Sequence, residues 1–208
     1  MRLPTLLPRA LTAGLLAASL VGTVDAAGSG SRAATSKAAV VERAPIGIEN
    51  FGRISPSYYR GAQPQGQDYA DLAALGIKTV INLTSDDALA EEPNLVERAG
   101  MKYVPMPMTT HVPPTTEQLS RFLTLVTDPA SQPVYVHCVG GKHRTGVMTA
   151  VYRMTQNSWT AAQAFDEMKD YRFGSDFLHP EFKKFVYGYR APVSSPQMSA
   201  VTETLQAP

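Results

Sequence analysis

The sequence predicts an α/β fold with a mostly parallel central sheet flanked by helices. Short apolar runs of strand length alternate with longer helix-like runs between residues 45 and 190. Punctuating residues stand where those runs must stop, among them Gly76, Gly100 and Pro107. The span is of ordinary single-domain size, and no internal repeat interrupts it.

Phe51–Ile54 and Tyr58–Arg60 read as two short strands split by Ser55-Pro56. Asp68–Leu75 reads as a helix stopped by Gly76, and Thr79–Leu83 as an apolar strand. Pro93–Ala99 is the next expected helix, with Pro93 in its first turn and Gly100 past its end. Tyr103–Met106 is a strand ended by Pro107, and Thr116–Val126 a helix with a threonine cap. Val134–His137 is the last strand, followed by helices at about Arg144–Gln156, Thr160–Tyr171 and Pro180–Tyr189. In sheets of this kind, sites gather where loops leave the C-terminal ends of strands.

Composition narrows the function. The 208 residues are 44% hydrophobic and 18% charged, with 19 basic and 18 acidic side chains and a formal charge of +1. Such a balance excludes a general nucleic-acid binder, so any basic site must be local. The N-terminus has basic residues at Arg2 and Arg9, an apolar run from Ala10 to Val24, and small residues around Val24-Asp25-Ala26. This is the pattern of a secretory signal peptide, expected at 1–26 with cleavage after Ala26. The run falls short of the ~20 residues that span a bilayer, so no membrane span is expected in the mature chain and the location is periplasmic or secreted. Residues 27–44, rich in Ala, Ser and Gly, read as a flexible linker, 45–190 as the folded domain, and 191–208 as a loose tail.

Cys138 is the single cysteine. In an exported chain it has no internal disulfide partner, so it is either a buried apolar residue or a thiol kept for chemistry. Its neighbours favour chemistry. Cys138, Val139, Gly140, Gly141, Lys142, His143, Arg144 and Thr145 connect an apolar strand to a helix. Gly140 and Gly141 let successive N–H groups turn inward, and the helix start adds free N–H groups and a positive dipole end. Arg144 can grip two phosphate oxygens with its planar fork. Lys142 and His143 add positive charge as substrate contacts. A helix N-terminus with cations nearby lowers a thiol pKa, and a thiolate beneath an anion cradle can attack phosphorus to form a phosphocysteine that water then hydrolyses. Thr145 can hydrogen-bond the sulfur in that second step. His137 precedes the nucleophile on the strand, where alternation points it the other way; it is expected to be buried and to orient the loop.

Cysteine and arginine five residues apart, with histidine before and threonine after, resemble the H-C-x5-R-[ST] signature of protein tyrosine and dual-specificity phosphatases. Tyr59-Arg60-Gly-Ala-Gln-Pro64 is similar to an early segment of the dual-specificity-like members, and Gly76–Leu83 to their next helix–strand step. The resemblance covers about residues 50–188 and is nearest to small exported bacterial phosphatases and the plant–fungal atypical group. It implies a dual-specificity-phosphatase-like fold and phosphate-monoester hydrolysis without a cofactor. A structural cysteine and a rhodanese-type sulfurtransferase are the rival readings of the loop; the latter usually has a shorter loop spacing.

The family pattern breaks at one place. An aspartate upstream of the cysteine should protonate the leaving oxygen, yet Met106–Pro114 holds no carboxylate; Thr110 or His111 stands there instead. His111 can serve as an imidazolium. Asp86 or Asp87, after the strand ending at Leu83, are alternatives, as is Asp176 in the segment that returns toward the site with His179 and Glu181. Asp128 is excluded because it precedes the strand, at the other end of the sheet. A missing carboxylic acid matters least for good leaving groups, so phosphotyrosine is expected above phosphoserine. Inositol phosphates or phosphoinositides are the second substrate class, favoured by the extra charge of Lys142 and His143. A phosphate-binding module with weak turnover is the third reading. The histidines at 111, 137, 143 and 179 show no ligand-like spacing with the cysteine, so no metal is expected.

Overall fold

The computed structural model describes residues 46–85, 87–175 and 177–192. The expected leader and linker, Asp86, Asp176 and the tail beyond Pro192 lie outside them. Five strands and six helices form among the described residues. β1 (Gly52–Ser55) and β2 (Tyr58–Gly61) make an antiparallel hairpin around Pro56. β3 (Thr79–Asn82), β4 (Lys102–Pro105) and β5 (Val134–His137) join it in the order β1-β2-β5-β3-β4, and every pairing beyond the hairpin is parallel. The expected mostly parallel sheet therefore forms.

β5 is the central strand, and all four of its residues are buried. Alternation divides them between the two faces of the sheet. Val134 and Val136, with Cys138 just beyond the strand, join Ile81, Phe122, Val126 and Met148 in one core. That core lies under α3 (Thr116–Thr127) and α4 (His143–Gln156). Tyr135 joins Val80, Leu72, Tyr69 and Val96 on the opposite face, covered by α1 (Asp68–Ala74) and α2 (Glu92–Arg98). Burial on both faces is why β3 and β5 read as near-continuous apolar runs rather than as alternating ones.

α4 is the pivot of the helical layer, buried from Arg144 to Met154. Val147, Ala150 and Met154 pack with Phe165 and Met168 of α5 (Ala161–Asp170) and with Phe182 and Val186 of α6 (Pro180–Gly188). A buried Arg153–Glu167 pair locks α4 to α5, with Nη2 2.6 Å from Oε1. The same guanidinium donates to Ile54 O at 3.2 Å and lies over Trp159, so neither charge is left uncompensated. Local signals set the helix starts. Thr115 caps α3 and Thr160 caps α5, each in a reciprocal capping box with the glutamine three residues on. No helix among the described residues is long and apolar enough to cross a membrane.

Parallel register brings the strand ends level: Gly61 and Asn82 both sit opposite His137. The loop leaving β5 therefore emerges between the segments that follow β2 and β3.

Candidate active site

Residues 138–142 span the gap between β5 and α4. Cys138 is buried at the base of this loop. Three consecutive carbonyls are claimed from outside. Val139 O accepts from Gln63 N–H at 3.0 Å, Gly140 O from Asn50 Nδ2 at 2.7 Å, and Gly141 O from the Arg60 guanidinium. In a trans peptide the carbonyl and the following N–H point opposite ways. Holding these carbonyls outward thus turns the N–H groups of Gly140, Gly141 and Lys142 to the concave side. The first turn of α4 adds its own unpaired donors there.

Gly141 is required twice over. Its φ is +63°, and an added Cβ would fall 2.4 Å from the carbonyl carbon and oxygen of Gly61. The loop rests directly on the end of β2. Arg60, fully buried, supports it from below, with its guanidinium 3.9 Å from the centre of the Tyr171 ring. Burial lowers the pKa of Arg60, and Cys138 is among the groups that attract its charge and oppose that shift.

Arg144 lies in the first turn of α4 and is buried rather than directed into water. Its Nη1 and Nη2 donate to the two carboxylate oxygens of Asp87 at 2.9 and 2.5 Å, and Nη1 also donates to Met108 O at 3.2 Å. That fixes one edge of the planar fork and leaves the Nε–Nη2 edge for an incoming anion. Burial works against the charge on Arg144. Hydrogen bonding to Asp87, attraction to Cys138 and Asp87, and a hydrogen bond to Cys138 outweigh burial and raise its pKa.

Asp87 was one of the alternatives for the missing proton donor, and both its oxygens are taken up by Arg144. The Arg144 hydrogen bonds, against a smaller opposing effect of burial, pull its carboxyl down to about 2. In this arrangement Asp87 braces the arginine. Asp128 caps the end of α3 and bonds Ser131 and Ala130, on the side of the sheet where β5 begins.

His111 is exposed on the segment after β4, its Nδ1 3.4 Å from Glu181 Oε1. His143 is the first residue of α4, but Phe173 O lies 2.9 Å from its Nε2. Its ring is turned toward the segment between α5 and α6, so the side chain is committed there rather than to the cradle. Burial, then the proximity of His179, lowers its pKa. Lys142 immediately precedes α4 and is half-buried. Thr145 is fully buried, and its hydroxyl has no hydrogen-bond partner among the described residues.

His137 is fully buried on the α2 side of the sheet, as strand alternation required. Its Nε2 lies 2.9 Å from Glu92 Oε1, with both side chains at zero exposure. The approach is close without the alignment of a hydrogen bond, for neither ring nitrogen has a hydrogen-bond partner among the described residues. Glu92 is further held by Gln63 Nε2 at 2.7 Å and Asn82 Nδ2 at 2.6 Å. Asn50 and Glu92 are supports that sequence reasoning missed, and Gln63 stood within the Tyr59–Pro64 segment without a role assigned to it. Asn50 carried one local signal: it is a non-glycine residue of a type that tolerates positive φ, and it sits at +53°.

Comparison with known proteins fits this construction. The chain is 30% identical over 139 residues to the inositol diphosphatase SIW14 of Saccharomyces cerevisiae, covering 64% of this chain and 49% of that protein. It is 33% identical over 127 residues to the dual specificity protein phosphatase TpbA of Pseudomonas aeruginosa, covering 61% and 56%. The chain thus spans about half the length of these curated relatives. Among solved structures, P. aeruginosa TpbA superposes with a TM-score of 0.63 at 28% identity, covering 74% of this chain and 92% of that one. The catalytic domain of yeast SIW14 gives 0.61 at 26%, covering 72% and 89%. Residues 41–183 match the family model described as DSP-PTPase phosphatase fused to NAD+ kinase, and by that match across most of its length the chain belongs to this phosphatase family.

Proposed function

We propose that the chain hydrolyses phosphate monoesters through a phosphocysteine on Cys138, with phosphotyrosine as the leading substrate class. The observation that carries this reading is the set of loop carbonyls held outward by Gln63, Asn50 and Arg60 in the loop that joins the buried Cys138 to the buried Arg144. In the first step the Cys138 sulfur attacks phosphorus, the bond from phosphorus to the ester oxygen breaks, and the departing oxygen takes a proton. Water then attacks the phosphorus of the thiophosphate link, the S–P bond breaks, and orthophosphate leaves. Charge on the transferring phosphoryl group is met by the Arg144 fork and the loop N–H groups. Thr145, whose buried hydroxyl has no hydrogen-bond partner among the described residues, is the candidate to hydrogen-bond the departing sulfur, and His111 is the candidate proton donor in the first step.

Aryl substrates are favoured by the rim. Val139 on the loop, Val112 on the segment after β4, and Phe177 and Leu178 on the segment before α6 are exposed apolar residues, a surface suited to an aromatic ring and its peptide. TpbA, in a cysteine-to-serine variant, has been captured with phosphotyrosine. The second reading, an inositol phosphate or diphosphate, is supported by Lys142 beside the loop and by the similarity to SIW14. Aryl phosphates and diphosphates have leaving groups that need little protonation, whereas an inositol monophosphate leaves as an alkoxide and needs more. Release of orthophosphate should occur with wild type and vanish with Cys138→Ser. kcat/KM should rank aryl phosphate above phosphoserine, and a preference for phosphoserine would refute the assignment. A preference for inositol diphosphates over phosphotyrosine peptides would select the second reading.

We also propose export, with residues 1–26 removed after Ala26. The support is the basic start, the apolar run and the small residues before the cut. Mass analysis of the chain from its native host should find Ala27 at the N-terminus; a chain that retains Met1–Ala26 would contradict it.

A further inference from the structure

Three of the four histidines, without ligand-like spacing in sequence, are gathered by the fold. The rings of His111 and His179 stack with centroids 5.1 Å apart, and those of His179 and His143 lie 3.8 Å apart. They come from three separate segments: the one after β4, the one before α6 and the first residue of α4. Glu181, in the first turn of α6, lies among them. Its Oε1 stands 3.4 Å from the Nδ1 of His111 and 3.4 Å from the Nδ1 of His179.

Those two equal distances are long for charge-assisted hydrogen bonds, which close to about 2.7–2.9 Å. One carboxylate oxygen serving two imidazoles so loosely is a poor hydrogen-bond arrangement. The spacing fits a different object. Metal–ligand bonds of about 2.0–2.1 Å to nitrogen and oxygen give a tetrahedron whose edges are about 3.3–3.4 Å. Ligand atoms of His111, His179 and Glu181 all lie within 4.8 Å of one another, so small side-chain rotations complete the triangle. We propose that His111, His179 and Glu181 form a binding site for a divalent transition-metal ion of the zinc class on the rim of the Cys138 loop, with the fourth position open.

The donor set is chemically apt. Two imidazoles and one carboxylate suit Zn2+ and its neighbours rather than Ca2+ or Mg2+, which take oxygen. His143 packs against His179, with ring centroids 3.8 Å apart. Neither Cys138 nor any residue of the cradle is used, so this site is separate from the phosphate site while sharing its rim. One consequence rests on the proposed function: a metal on Nδ1 of His111 would pin the segment after β4 to α6, and coordination and proton donation by that imidazole would exclude one another.

The test uses the full-length Cys138→Ser chain, in which no thiolate can capture metal. Titration with Co2+ should give the visible ligand-field bands of a four-coordinate site, saturating at one equivalent and discharged by one equivalent of Zn2+. His111→Ala, at a side chain 69% exposed and so without cost to folding, should weaken binding at least about tenfold, a loss of ~1.4 kcal/mol or more. Glu181→Gln should do the same. No saturable uptake, or uptake equally tight in both variants, would overturn the proposal. Orthophosphate release by the Cys138-intact chain is read separately without metal. Its absence would sink the phosphatase reading, whereas the titration decides the metal site on its own.

Discussion

Replacing Asp87 with asparagine separates two roles that its position allows. In the structure both Asp87 oxygens accept from Arg144, and the carboxyl is drawn from 3.8 to about 2. That shift corresponds to about 2.4 kcal/mol at ~1.36 kcal/mol per unit. The Asp87 side chain is 36% exposed, so solvent screening reduces the contribution to about 1 kcal/mol. The sign follows from a depressed acid. The stabilisation is present in full above the unfolded value near 4 and is lost as pH falls toward about 2. Asp87→Asn should therefore unfold at lower urea concentration than wild type at pH 7, and the gap should close near pH 2. The kinetic signature discriminates further. A brace for Arg144 acts on every phosphoryl group, so kcat/KM should fall by about tenfold on aryl and alkyl phosphates alike, again ~1.4 kcal/mol. A proton donor would instead spare the good leaving groups. A selective loss on phosphoserine, or a stability difference that persists unchanged at pH 2, would refute the reasoning.

Other substitutions probe the loop and its surroundings. Gly141→Ala places a Cβ 2.4 Å from backbone atoms of Gly61 at a positive φ; orthophosphate release should fall by two orders of magnitude or more, and retained activity would show that the loop does not rest on β2. Asn50→Ala removes the donor to Gly140 O and should lower phosphate affinity several-fold, by ~1 kcal/mol, as measured by inhibition with inorganic phosphate. His143 has a lowered pKa, chiefly from burial, so the unfolded chain takes up a proton before the folded one. Stability should decline as pH falls below about 6.5, and His143→Gln should flatten that decline in thermal melts followed across the range.

Much of the fold was legible because its elements are bounded by local signals. Pro56 separates β1 from β2, and the threonine caps fix the starts of α3 and α5, so these boundaries fall within a residue or two of expectation. Apolar strands announced a sheet buried on both faces. The order of strands was not legible, because it depends on which faces cover which helices over long sequence separations. The loop from Cys138 to Thr145 was legible for a different reason: a cysteine, a fixed spacing and an arginine must be local to one turn for the chemistry to work. Its supports were hidden. Asn50 is 90 residues from Gly140, and Arg60 is 81 from Gly141. No periodicity links such pairs.

Arg60 and Glu92 show why hidden supports carry so much of the site. A loop that turns its N–H groups inward must turn its carbonyls outward into protein, where each needs a donor. A backbone N–H serves Val139, but Gly140 and Gly141 take side-chain donors, one of them a fully buried guanidinium. Burying that charge is tolerable because the Tyr171 ring lies beneath it and Glu167 attracts it. On the other face of the sheet, Glu92 is buried among Gln63, Asn82 and His137, and Gln63 also supplies the N–H that holds Val139 O. The carboxylate behind the sheet and the cradle in front of it are thus joined through a single glutamine. A charge in the core costs stability unless several partners meet it. Here those partners are the residues that fix where the loop begins.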